Sequence, residues 1–126
     1  MSRLKYFLIS ISVLVFFGCD TYGTYEYYID NKSDSELTVS HKWIDSLDSK
    51  LIPPRSAVII RSFGTNNGLS DLKYFFLKRY FDTIYISHNG SIIVKDINKR
   101  YNWSYVADEE KYSNIYTFTV ENKDLK

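Results

Sequence analysis

Three stretches of this chain alternate apolar and polar residues with a period of two. Tyr25, Tyr27 and Ile29 are interleaved with Glu26 and Tyr28; Leu37, Val39, His41 and Trp43 with Thr38, Ser40 and Lys42; and Tyr116, Phe118 and Val120 with Thr117 and Thr119. Only an extended strand, whose successive side chains point to opposite faces, gathers such a set on one side. Phe, Trp and Tyr make up 17% of the chain, with twelve Tyr among them. Aromatic and β-branched side chains pack well on a pleated surface, so the folded part is expected to be mainly β.

Read in order, the first two alternating stretches are expected to pair as a hairpin across Asp30–Ser35, whose Asp, Asn and Ser residues favour tight reversals. Asp45 to Lys50 reads as a polar connection, and Pro53-Pro54 as an extended approach, because each proline disfavours helix in the residue before it. A strand is expected from Ser56 to Phe63, with Ala57 to Ile60 as its apolar middle, and Gly64 to Gly68 breaks it. The one helix signal runs from Leu69 to Tyr80, with Ser70 as cap, Asp71 at the positive end and Leu69 stapling onto Tyr74, although Tyr74-Phe75-Phe76-Leu77 reads equally as a strand. Thr83 to Ser87 and Ile92 to Lys95 flank Asn89-Gly90, a dipeptide that tolerates the positive φ of a tight hairpin turn. Asn102 to Val106 is a weaker strand, Asp108 to Asn114 a charged connection and Ile115 to Val120 the last strand. Six or seven short strands with one short helix predict an antiparallel β-sandwich, immunoglobulin-like or related.

The N-terminus follows a different logic. Arg3 and Lys5 precede the twelve uncharged residues Tyr6 to Phe17, the order of a secretory signal. As a helix that segment reaches roughly 18 Å, short of a bilayer core of roughly 30 Å. It ends at Gly18-Cys19, the only cysteine. Gly18-Cys19 resembles the lipobox of bacterial lipoprotein signal peptides, with Phe16 and Phe17 where a Leu and a small residue are commoner. The resemblance implies a signal peptide over residues 1–18, lipidation of Cys19 and a tether over 19–24; the length and strand pattern of the remainder make residues 25–126 a single β-sandwich domain. Two or more acyl chains suffice for stable membrane anchoring. A lone cysteine cannot form an internal disulfide, and acylation consumes its thiol.

The order of signals also resembles the small lipoproteins of unknown function common in the Bacteroidetes. It rests on the lipobox, a Tyr-rich first strand, Phe81-Asp82-Thr83-Ile84-Tyr85-Ile86 with its Asn89-Gly90 turn, Asn102-Trp103, and the ending Tyr116-Thr117-Phe118-Thr119-Val120. It implies a lipid-anchored β domain of the cell envelope, at the outer rather than the inner membrane, periplasmic or surface-exposed. In such bacteria Asp-Ser/Thr followed by an apolar residue can signal O-glycosylation, which makes Ser46 and Thr83 candidates.

Chemistry is sparse. The whole chain has 16 basic and 15 acidic side chains; without Arg3 and Lys5, 14 face 15, which argues against nucleic acid as a partner. The dibasic pairs Lys78-Arg79 and Lys99-Arg100 do not make a groove for it. His41 and His88 lack neighbours at ligand spacing, and zinc needs three or four. Asp30, Asp34 and Glu36 fail as a calcium loop, since Lys32 occupies a ligand position and the required glycine is missing. Trp43 and Trp103 are candidates for a sugar-stacking or protein-binding face, or else fill the core. No cofactor, metal or catalytic residue is expected. The expectation is a non-enzymatic envelope lipoprotein that binds a protein or glycan or has a structural role. The alternatives are a periplasmic inhibitor or immunity-type protein, and a hydrolase built from scattered acids such as Asp45, Asp82, Asp96 and Glu109.

Overall fold

The computed structural model describes residues 22–43, 45–65, 68–69, 81 and 83–125. The expected helix, Leu69 to Tyr80, lies outside the described residues apart from Leu69, as do the signal segment and Cys19. Among the described residues eight strands follow one another: β1 (Gly23–Asn31), β2 (Leu37–Trp43), β3 (Ser46–Ile52), β4 (Ser56–Thr65), β5 (Thr83–His88), β6 (Ser91–Ile92), β7 (Trp103–Asp108) and β8 (Ser113–Val120). They form two four-stranded sheets, β4-β1-β8-β7 and β3-β2-β5-β6, and the expected β-sandwich is the fold. One pair, β1 with β8, is parallel, so the first sheet is mixed.

Three local expectations need correction. β1 and β2 do not pair as a hairpin: β1 is flanked by β4 and β8, and β2 by β3 and β5. Asn31 explains the crossover. Its fully buried amide donates to the carbonyls of Ser35, Ile52 and Pro53 at 2.8, 3.1 and 3.1 Å, while its Oδ1 accepts from Ser33 N and Oγ. The turn is thereby pinned to the β3–β4 corner, and the chain passes into the other sheet. Second, most of the polar stretch Asp45 to Lys50 belongs to β3, an edge strand exposed at every position but Ile52; exposure on both faces erases the alternation that would mark it. Third, β6 stops at Ile92 instead of running to Lys95.

The core draws on both sheets. Tyr25, Tyr27, Ile29, Tyr116, Phe118 and Val120 face Leu37, Val39, Ile84 and Ile86, with Ile52, Phe81 and Trp103 also buried. Aromatic pairs hold its β1–β8 side: Tyr27 stacks on Tyr116 at 5.2 Å and meets the Trp103 edge at 5.8 Å, and Tyr25 stacks on Phe63 at 5.4 Å. Such pairs add about 0.5–1.5 kcal/mol each beyond area burial. Phe63 reaches the core through a bulge. Tyr27 pairs with Arg61 and Tyr28 with Ile59, leaving Ile60 as the extra residue. That insertion lets both Val58 and Phe63 pack against the core. Of the apolar run Ala57 to Ile60, only Ile60 is buried.

Candidate binding face

Neighbours in register share a face, so the second sheet can be read row by row. Inward go Leu37, Val39 and His41 of β2, with Ile86 and Ile84 of β5 opposite Val39 and His41. Outward go Thr38, Ser40 and Lys42. Leu51, Ser49 and Leu47 of β3 lie on one side of them, and Ser87, Tyr85 and Thr83 of β5 on the other. Ile92 of β6 extends the row of Ser87.

The outer face thus carries Leu47, Leu51 and Ile92, which are 70%, 63% and 67% exposed, around a half-buried Tyr85 and a field of hydroxyls. Ser40 and Ser49 bond across the strands at 3.1 Å. Lys42 is the only charged side chain among these positions, and no carboxylate stands there. The other sheet differs: Glu26 and Asp30 of β1 and Asp108 of β7 lie on its outward register. At the free side of β5 the apolar face runs into a groove of about 430 Å³, walled by Thr83–Ile86 and by the Ile92–Asn98 segment.

The residues singled out by sequence fall in separate places. Trp103 is 4% exposed, and its Nε1 donates to the Ile97 carbonyl at 2.7 Å. It is a core residue and offers no free ring face, which corrects its candidacy for a ligand. Trp43 ends β2, its backbone opposite Ser46; its side chain lies outside the described residues. Ser46 and Thr83 are both exposed, and Thr83 shares the Lys42–Leu47 row. Asp34 is taken by Arg55 Nη2 at 2.6 Å and by Asn122 Nδ2 at 2.9 Å. These hydrogen bonds, Arg55 first, hold its carboxyl below the ordinary value. Among the described residues no three of His, Cys, Asp and Glu gather as a metal would require, and no helix is long and apolar enough to cross a membrane.

Two residues that sequence patterning passes over organise the ends of the sandwich. Asn31 pins one crossover, as above. Asn114, also fully buried, accepts from Tyr105 Oη at 2.7 Å and donates to the carbonyls of Thr24 and Gly68 at 3.1 and 2.8 Å. Asn114 reads in sequence as the end of the charged connection before the last strand, and nothing there marks it as the second residue of β8 with a buried amide. No family model, curated protein or solved structure matches this chain.

Proposed function

We propose that the chain is a lipid-anchored, non-enzymatic binding module of a bacterial cell envelope, tethered through Cys19, that holds a protein partner against the outer face of β3-β2-β5-β6. The observation that carries this reading is the make-up of that face: Leu47, Leu51 and Ile92 exposed around hydroxyls, with a single charge. Each such side chain gains about 1.5–3 kcal/mol when a partner buries it, and the three stand at separate corners of the face with hydroxyls between them. A flat face without paired acids suits holding rather than bond making. A protein partner suits it better than a sugar, since aliphatic side chains outnumber the one ring, that of Tyr85.

The tether fits the same reading. Gly23 opens β1, so only Asp20, Thr21 and Tyr22 separate a lipid on Cys19 from the folded domain, which would ride close to the membrane, the outer one by the lipoprotein resemblance. Of the two O-glycosylation candidates, Ser46 is compatible with a partner on this face. A glycan on Thr83 would stand on the face itself.

Two experiments test the proposal. An alkyne-palmitate label is expected to enter the wild type and not Cys19→Ser; equal labelling overturns the anchor. Crosslinking in intact host cells, followed by recovery through a C-terminal tag, is expected to bring down one partner in near-stoichiometric amount and to lose it from the double variant Leu47→Lys, Leu51→Lys. Equal recovery by both proteins overturns the face, and recovery of abundant envelope proteins alone overturns the dedicated partner.

A further inference from the structure

Among the described residues β5 is left without a neighbour along part of its length. The Asn89-Gly90 turn brings only Ser91 and Ile92 of β6 into register with His88 and Ser87. One further bond follows, Ile93 N to Ile86 O at 3.0 Å; Val94 gives its N–H to Asp124 O at 3.1 Å, and among the described residues Lys95, the next in register to face β5, makes no backbone bond to Ile84. In an antiparallel strand the N–H and C=O of one residue point to one side and those of the next to the other. Since the Ile86 carbonyl faces β6, the Ile86 N–H and both backbone groups of Ile84 face that side too. Thr83, Tyr85 and Ser87 direct theirs to β2. Among the described residues no backbone group meets the Ile84 N–H, the Ile84 C=O or the Ile86 N–H. All three look into the groove of about 430 Å³.

We propose that this groove takes an extended strand of the partner polypeptide, which adds to the sheet alongside β5. The inference deepens the binding reading above and rests on it. The occupant is chosen by hydrogen-bond complementarity. Donor, acceptor and donor run in line along β5, and the edge of an extended main chain presents acceptor, donor and acceptor at the same spacing. A helix has its backbone groups satisfied internally, and a sugar has no such fixed line. The far wall of the groove is Val94 to Asn98. Ile92 and Val94, 67% and 69% exposed, ask for apolar side chains at alternate positions of the incoming strand.

The other edges carry devices that discourage pairing. β3 has Asp48 and Lys50 and runs into Pro53, β4 has the Ile60 bulge beside Arg61, and β7 ends in Asp108. Charges, prolines and bulges are the usual guards of exposed edges. The Thr83-Ile84-Tyr85-Ile86 run has none.

The first test needs no partner: amide hydrogen exchange of the full-length chain, followed by NMR. Ile84 and Ile86 are expected to exchange faster than Thr83, Tyr85 and Ser87 by on the order of tenfold or more, the difference between an open and a laddered edge. Equal protection of all five means that the chain covers its own edge, and overturns the proposal whether or not a partner exists. The second test pans a random peptide library on the full-length chain. Selected peptides are expected to slow exchange at Ile84 and Ile86, and to lose binding when N-methylated at alternate residues on one edge but not on the other. Peptides that bind without protecting these amides, or a chain that dimerises through β5, overturn the strand. A crosslinked partner lost from the Leu47/Leu51 variant whose footprint spares Ile84 and Ile86 also overturns it while leaving the binding module standing; failure to recover any partner removes the module itself.

Discussion

At the scale of single residues, several side chains have roles that their type alone would not assign. His41 is 8% exposed and lies against Phe81 at 5.2 Å, ring edge to ring face. Among the described residues neither ring nitrogen has a hydrogen-bond partner, and Asp48 Oδ2 stands 3.8 Å from Nε2. Burial pushes its pKa below the ordinary 6.5, partly opposed by Asp48 and reinforced by Lys50 and Arg61. The unfolded chain therefore binds a proton on His41 at a higher pH than the folded one does. The stability tied to this group is complete above 6.5 and falls as the pH drops from there to the lower folded value. His41→Phe, which keeps a ring against Phe81, is expected to flatten that part of the profile; urea unfolding at about pH 7.5 and about pH 5.5 reads it. Asn114→Ala leaves the Thr24 and Gly68 carbonyls and the Tyr105 hydroxyl without their partner. At about 1–3 kcal/mol for a buried group left unsatisfied, it is expected to rank with Trp103→Ala, for which loss of a large core ring predicts about 3–5 kcal/mol. Denaturant midpoints compare the two.

At the scale of elements, glycines separate two kinds of constraint. Gly90 sits at φ +78° with open space around it. Gly90→Ala therefore meets backbone strain alone, about 1–2 kcal/mol. Gly23 has an ordinary φ, but an added Cβ would stand 2.9 Å from the Gly68 carbonyl oxygen. That oxygen is held by Asn114, so Gly23→Ala is expected to displace backbone and to cost more than Gly90→Ala in thermal or urea unfolding. The Asn-Gly turn was legible in sequence because its chemistry is local. The strands β1, β2 and β8 were legible for the same reason, since each buries one face and alternates. Pairing was not legible: alternation says which side of a strand faces the core and nothing about which strand lies beside it, so β1 and β2 looked like a hairpin. β3 was missed because an edge strand wet on both faces has no pattern to show. The proposed binding face was hidden more deeply, as Leu47, Tyr85 and Ile92 come from three strands and share a face only once the register is known.

At the scale of the whole molecule, the C-terminal 3-10 turn, Asn122–Asp124, links the two regions on which the proposals depend. Asn122 Oδ1 accepts from Asp34 N at 2.9 Å while its Nδ2 donates to Asp34 Oδ2, steadying the crossover from β1 to β2. Asp124 O takes the Val94 N–H, and Leu125 packs against the core. The segment that walls the groove is thus held by the Asn122–Asp124 turn, and the crossover that sends β2 into the second sheet is held by the same turn. These contacts separate experimentally. Asn122→Ala removes only the crossover bonds, which are exposed, so a stability change within about 0.5 kcal/mol is expected, with Val94 exchange unchanged. Truncation after Glu121 removes the Val94 acceptor and Leu125 together. The Val94 amide is then expected to lose its protection and the groove wall to loosen, while the Thr83, Tyr85 and Ser87 amides, held by β2, keep theirs. If truncation leaves Val94 exchange as it was, the wall stands without the C-terminal turn and the coupling is absent. If Thr83, Tyr85 and Ser87 open as well, the turn supports the whole second sheet rather than the groove wall.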